Sequence, residues 1–244
     1  MIKDYKNLSL PDAVLFDTDN TLYEYQPCHE AGLSAVLNKS SNLFNIDKNT
    51  FKKSLEKVKK SIKLRLGPTA SSHSRLLYFQ GVLEDLGLGS QVLTALDLEQ
   101  TYWREFLNSA LLFDGVMDLL DDLKYLNIPT AIVTDLTAQI QFRKIFYFKL
   151  HNHFNYIVSS EEAGFDKPNP KPFLLALKKI KPKGKNIWMI GDNLEADIVG
   201  SRKSINAITF QKKHKGIVLK KGNIKSDYTF TNYKEIRSLI KNLV

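Results

Sequence analysis

The sequence predicts an α/β fold, a parallel sheet covered by helices on both faces, with an all-helical segment inserted near its start. Three observations carry this expectation. From about Phe113 to the C-terminus, short apolar runs alternate with helical stretches, the pattern of a parallel sheet with helices packed on it. An earlier apolar run, Ala13-Val14-Leu15-Phe16, ends at two closely spaced carboxylates, Asp17 and Asp19. Between those two regions, residues from about 24 to 109 read as helix throughout. The expected organisation is therefore a core of 1–23 and 110–244 and a helical domain of 24–109.

The elements follow in order. The first strand ends at Asp17. In the inserted segment Phe51, Leu55, Val58, Ile62 and Leu66 recur at i, i+4, i+7, i+11 and i+15, one face of a long helix whose other face is lysine. Gly67-Pro68 breaks it. A second helix is expected from about Ser72 to Leu86, stopped by Gly87, and a third from about Gln91 to Asn108. Val116, Leu119, Leu120 and Leu123 then mark one helix face, and Pro129 precedes a strand over Thr130–Val133. Tyr156–Val158 is the next strand. Asn169-Pro170 opens a helix, with asparagine as cap and proline at the first position; Phe173, Ala176, Leu177 and Ile180 are its buried face. Ile187–Ile190 is a strand ending in Gly191-Asp192. Ala207–Phe210 and Tyr228–Phe230 are two more, and Ile236, Leu239, Ile240 and Leu243 mark a last helix.

Composition narrows the classes. With 244 residues the chain can bury a full core. No apolar run reaches the length that spans a bilayer, and Met1-Ile2-Lys3-Asp4-Tyr5 does not read as a secretory signal. A single cysteine, Cys28, excludes an internal disulfide. A cytoplasmic location is expected. The net charge of +9 comes from scattered lysines, with clusters at Lys178-Lys179, Lys181–Lys185 and Lys212–Lys221. No basic stripe interleaved with aromatics is present, so neither a nucleic-acid partner nor a membrane is expected.

Two carboxylates at the end of a buried strand can converge on one point beyond it, where open α/β sheets place their ligands. Such a pair suits a hard cation held through oxygen, or a division into nucleophile and proton carrier; solvated loop aspartates would read the same way. Three further features stand at strand ends. They are Thr134-Asp135, Lys167 within Gly164–Pro170, and Asp192 and Asp197 within Gly191–Asp197. Singly, each has an ordinary reading: a turn threonine, a surface lysine before a helix, aspartates favoured by a helix dipole.

In the order Asp-x-Asp-x-Thr, Thr, Lys-Pro and Gly-Asp-x4-Asp, the set resembles the haloacid dehalogenase-like superfamily of phosphatases over nearly the whole chain. The stretch Ser159-Ser160-Glu161-Glu162-Ala163-Gly164, running into Lys167-Pro168, is similar to the branch containing pyrimidine 5′-nucleotidases and N-acylneuraminate-9-phosphatases. The resemblance implies a Rossmann-like core with a helical cap and a magnesium cofactor (Mg2+). It implies that Asp17, Asp192 and a backbone carbonyl at Asp19 hold the metal. Asp17 is then the nucleophile and Asp19 the acid and base. Lys167 supplies a second positive charge that offsets the repulsion of a phosphate dianion. Thr134, Asp135, Lys167 and N–H groups near Thr18 and Asp19 form the phosphate-binding set. Asp197 supports Lys167 or a metal-bound water, Asn193 lies beside it, and Thr21 supports the loop.

Asp135 departs from the pattern, since asparagine is common there. Its carboxylate is expected to turn away, to be protonated, or to pair with a cation such as Arg143. In the cap, Arg75 could reach a substrate carboxylate or phosphate through its bidentate fork, or could be an exposed helix arginine. Tyr23, His29 and His73 are further candidates. His151 and His153 read as loop histidines without a third metal ligand. The expected activity is magnesium-dependent hydrolysis of a small phosphomonoester: a sugar phosphate, a sialic-acid-type phosphate or a nucleotide. The alternatives are a phosphomutase, a dehalogenase, which has no need of Asp19, and a weak binding or regulatory protein on the same fold. The expected partner is a small phosphorylated metabolite, and the expected state a monomer or homodimer.

Overall fold

The computed structural model describes residues 8–244; the first residues of the expected core, 1–7, lie outside the described residues. The chain divides into two compact units, Tyr25–Ala110 and a second formed by the chain up to Glu24 with Leu111–Val244.

The Tyr25–Ala110 unit is helical: α1 (Tyr25–Phe44), α2 (Lys48–Leu66), α3 (Arg75–Asp85) and α4 (Val92–Asn108). The periodic face of α2 is buried at Phe51, Leu55, Val58 and Ile62. Asp47 caps its start by accepting the N–H groups of Asn49 and Thr50. The helix expected from Ser72 begins instead at Arg75. The Ser74 hydroxyl accepts the Leu77 N–H at 3.3 Å and so ends a separate short turn at Ala70–His73. Gly87, at φ +77°, follows α3 as expected of a helix stop. None of the described helices is long and apolar enough to cross a membrane.

The other unit carries the sheet. Its strands are β1 (Ala13–Phe16), β2 (Thr130–Thr134), β3 (Tyr156–Ser159), β4 (Ile187–Gly191) and β5 (Ile208–Lys212). A small hairpin, β6 (Lys220–Lys221) and β7 (Ile224–Lys225), precedes β8 (Tyr228–Phe230). The main sheet runs β3-β2-β1-β4-β5-β8, and every neighbouring pair is parallel. Residues of β1, β2 and β4 are buried along their whole length, which is why these strands read as continuous apolar runs rather than alternating ones. Helices α5 (Val116–Tyr125), α6 (Ala138–Tyr147), α7 (Ser160–Ala163), α8 (Pro170–Ile180), α9 (Gly200–Ile205) and α10 (Tyr233–Leu243) complete the unit. The Asn169 side chain caps α8 by accepting the Lys171 N–H. The architecture is the expected Rossmann-like α/β fold.

Strands are added from β1 to β3 on one side and from β4 to β8 on the other. The reversal falls between β1 and β4, the position where open sheets form a binding crevice. The chain leaves this unit after Tyr23 and returns beside it. Tyr23 and Leu112 form an isolated antiparallel bridge, and the Phe113 N–H donates to the Leu22 carbonyl.

At the end of β4 the backbone comes close to the turn that follows. A Cβ on Gly191 would lie 2.5 Å from the Asp197 Cβ, a distance no side chain tolerates. Gly191→Ala is therefore expected to cost about 1–3 kcal/mol, read as a lower urea midpoint at unchanged slope; an unmoved midpoint would mean that Asp197 can give way.

Candidate active site

Three adjacent strands end together. β1 delivers Asp17, β2 delivers Thr134 and Asp135, and β4 delivers Asp192. Lys167 enters from the loop between α7 and α8, and Asp197 from the turn Leu194–Val199 after β4. All six side chains are buried or nearly so. The Lys167 ammonium donates to Asp17 Oδ1 and to Asp197 Oδ1, 2.7 Å each. The other oxygens are engaged too. Thr21 donates its hydroxyl to Asp17 Oδ2 at 3.1 Å, and the Asn193 N–H donates to Asp197 Oδ2 at 3.0 Å. Thr21 is thus in contact with Asp17 itself. Asn193 acts through the backbone, its side chain accepting the Glu195 and Ala196 N–H groups to fold the turn. On the neighbouring strand, the Thr18 and Thr134 hydroxyls lie 2.8 Å apart.

Charge is crowded at this point. Carboxylate oxygens of Asp17, Asp192 and Asp197 lie within 4.8 Å of one another, the one group among the described residues with the spacing of a metal site. Burial pushes the Asp17 carboxyl up to about 7, against the pull of Lys167 and with Asp197 and Asp19 adding to the rise. Asp192 is pushed up to about 8 by burial and then by Asp17 and Asp197. Burial alone would lower Lys167, but Asp17, Asp197 and Asp135 outweigh it and hold the ammonium well above the ordinary lysine range. Asp135 remains in the site. Burial raises its carboxyl to about 6, and its Oδ1 accepts the Lys167 N–H at 2.9 Å. Of the three expected outcomes, a carboxyl turned away, protonated or paired with a cation such as Arg143, the first does not occur. Its bond comes from the Lys167 backbone because that loop packs directly against the end of β2, with Arg143 exposed on α6.

Asp19 is held apart from the carboxylate cluster. Its Oδ1 accepts the Lys144 ammonium at 2.7 Å and the Tyr23 hydroxyl. Lys144 is only 1 % exposed and was not singled out by its sequence. Neither was Gln141, whose amide donates to the Thr134 hydroxyl at 2.9 Å and to the Asp135 carbonyl at 2.7 Å. A signal existed: Ile140, Gln141, Lys144 and Ile145 share one helical face, so a buried apolar face carried two polar residues. His214 is a third such residue, with Nε2 3.0 Å from Asp192 Oδ2. It lies in the loop after β5, where no periodicity marks it.

The remaining candidates lie elsewhere. Arg75, His29, His73 and the buried Cys28 belong to the helical unit. Arg75 is not an exposed helix arginine: its guanidinium donates to the Tyr25 hydroxyl and the His73 carbonyl. His153 lies 3.3 Å from Asp121, and neither it nor His151 joins a metal-spaced group among the described residues. Removing Lys167 would leave Asp17 and Asp197 buried without their shared cation. Lys167→Met is expected to cost about 3–5 kcal/mol at neutral pH, measured by urea unfolding. Carboxyls whose folded values are raised favour folding when protonated and lose that contribution as pH rises. The deficit should therefore grow between pH 5 and pH 8; a deficit independent of pH would show that Lys167 matters only for packing.

The model of the haloacid dehalogenase-like hydrolase family matches residues 11–204. The chain is 37 % identical over 191 residues to a ribulose-1,5-bisphosphate 5-phosphatase of Halopiger xanaduensis, covering 78 % of this chain and 80 % of that one. It is 25 % identical to a glyceraldehyde 3-phosphate phosphatase of Methanocaldococcus jannaschii, over 94 % and 97 % of the two chains. Among solved structures, a 2-haloacid dehalogenase of Pseudomonas syringae shares the fold with a TM-score of 0.78 at 18 % identity, over 96 % of this chain and 100 % of the other. With the matched family model spanning both ends of the site, from Asp17 to Asp197, the chain belongs to the haloacid dehalogenase-like hydrolase family.

Proposed function

We propose that the chain, an enzyme of this hydrolase family, is a phosphoric monoester hydrolase that removes a terminal phosphate from a small phosphorylated sugar. The observation that carries this reading is the convergence of Asp17, Thr134, Lys167 and Asp192 at the ends of β1, β2 and β4. The named activities of the Halopiger and Methanocaldococcus relatives favour a sugar phosphate over a nucleotide or a sialic-acid-type phosphate. The sheet-bearing unit supplies the chemistry, and the inserted helical segment acts as a cap that selects substrate.

In this reading an Asp17 oxygen attacks phosphorus and the ester oxygen departs. Asp19 gives that oxygen a proton as the bond breaks. Asp19 then takes a proton from water as the water attacks the aspartyl-phosphate, which regenerates Asp17 and releases inorganic phosphate. Lys144 and Tyr23 both grip Asp19 Oδ1, which fixes the orientation of the carboxyl for both transfers. The hydroxyls of Thr18 and Thr134 and the Lys167 ammonium bind phosphoryl oxygens. Asp197 is a positioning residue for Lys167.

The donor set fits a hard divalent cation. It is all oxygen, and three buried carboxyls, Asp17, Asp192 and Asp197, crowd around one buried ammonium, Lys167, at the strand ends. Asp17 and Asp192 would hold magnesium together with the Asp19 carbonyl, with Asp197 close beside them. When bound, the cation offsets the repulsion between Asp17 and a phosphate dianion.

Asp17→Asn is expected to abolish phosphate release from sugar phosphates while circular dichroism stays unchanged; normal turnover would overturn the mechanism. Asp19→Asn should slow release by about 10²–10⁴-fold, and an unchanged rate would remove its proton-carrying role. Chelation should stop turnover and magnesium restore it. Magnesium should also raise the melting temperature, by the equivalent of about 2.7 kcal/mol at a hundred times its dissociation constant. Asp192→Asn should lose that rise, and keeping it would place the cation elsewhere.

A further inference from the structure

A cavity of about 150 Å³ lies within the helical unit, walled by residues from all four of its helices. Its wall is cationic: Arg75, Lys59 and Lys63 stand against a single carboxylate, Glu56. Arg75 is the anchor. Its guanidinium donates to the Tyr25 hydroxyl at 2.6 Å and to the His73 carbonyl at 2.7 Å. It also lies 5.4 Å from the ring centres of Tyr102 and Trp103. These partners are neutral, and no carboxylate among the described residues pairs with it. A guanidinium sunk among rings without a counter-ion is costly, although the aromatic faces offset part of that cost. Five N–H donors leave it capacity for a further acceptor.

The neighbouring groups are linked to one another. The Tyr102 hydroxyl lies 2.7 Å from His29 Nδ1, and the His29 ring stacks on Tyr25 with centres 5.6 Å apart. Burial, then Arg75 and Lys59, lower His29 to about 4 against a smaller opposing effect of Glu30. The histidine is therefore neutral at pH 7.

We propose that this cavity is an oxyanion site, in which the fork of Arg75 receives a phosphate group. The proposal stands on the helical unit alone and does not depend on the chemistry assigned to Asp17. The same chemistry has two sources, a second phosphate carried by the substrate or free inorganic phosphate.

The test follows the His29 ring resonances at pH 6 while inorganic phosphate is added to the chelated protein. An anion beside the ring raises its titration midpoint by about 1–3 units, so a saturable shift toward the protonated form is expected. Asp17→Asn should retain the shift, which separates it from binding at the strand ends. Arg75→Gln should abolish it, and Lys59→Gln, a milder change nearer the surface, should weaken it. No saturable shift, or an equal shift in both Arg75→Gln and Lys59→Gln, would overturn the proposal. Steady-state kinetics then identify the source. If Arg75→Gln raises KM about tenfold or more for a sugar bisphosphate and leaves a monophosphate unchanged, the occupant is the substrate's second phosphate. If neither KM moves while the wild-type His29 shift persists, the occupant is free phosphate.

Discussion

Lys167 brings a buried positive charge to a point 2.7 Å from both Asp17 and Asp197, and its own N–H is held by Asp135. Four segments remote in sequence are tied at this one residue. Each carboxylate in turn fixes a turn of backbone: Asp17 through Thr21, and Asp197 through Asn193. The close approach at Gly191 exists because Asp197 must sit directly over the end of β4 to reach the ammonium. The loop geometry at the strand ends is thus set by electrostatics, and the sheet supplies the rigid floor under it.

That arrangement explains why Asp17, Asp192 and the lysine are all raised. One ammonium among several carboxyls gains from every neighbour, whereas Asp17 and Asp192 are raised chiefly by burial, with neighbouring carboxylates adding to it. Asp135 adds to the excess, yet it is anchored by a backbone donor, so it reinforces the Lys167 loop that an asparagine could hold without the charge. A site with surplus buried negative charge is primed for a cation from solution.

Much of this was legible in the residues. Continuous apolar runs marked β1, β2 and β4 because both faces of those strands are covered, and Asn169-Pro170 marked the start of α8 through cap chemistry. The acidic and cationic side chains at strand ends were visible as a set because their order along the chain resembles the motif order of the haloacid dehalogenase-like family. Other features were not visible. Lys144 and Gln141 are marked only by sharing a helical face with Ile140 and Ile145, and that face does not reveal that they reach Asp19 and Thr134. The α3 boundary moved because Ser74 makes a local cap that competes with helix continuation. His214 depends on the path of a loop, which no periodic pattern encodes.

The helical segment leaves after Tyr23 and comes back at Leu112, and these two residues are bridged to each other. A segment whose two ends meet at a single paired point imposes no span on its host. It can be lengthened, trimmed or exchanged for another while the strand carrying Asp17 keeps its register. The helical segment and the strand ends are thereby free to diverge on separate evolutionary schedules, with one antiparallel bridge as the splice.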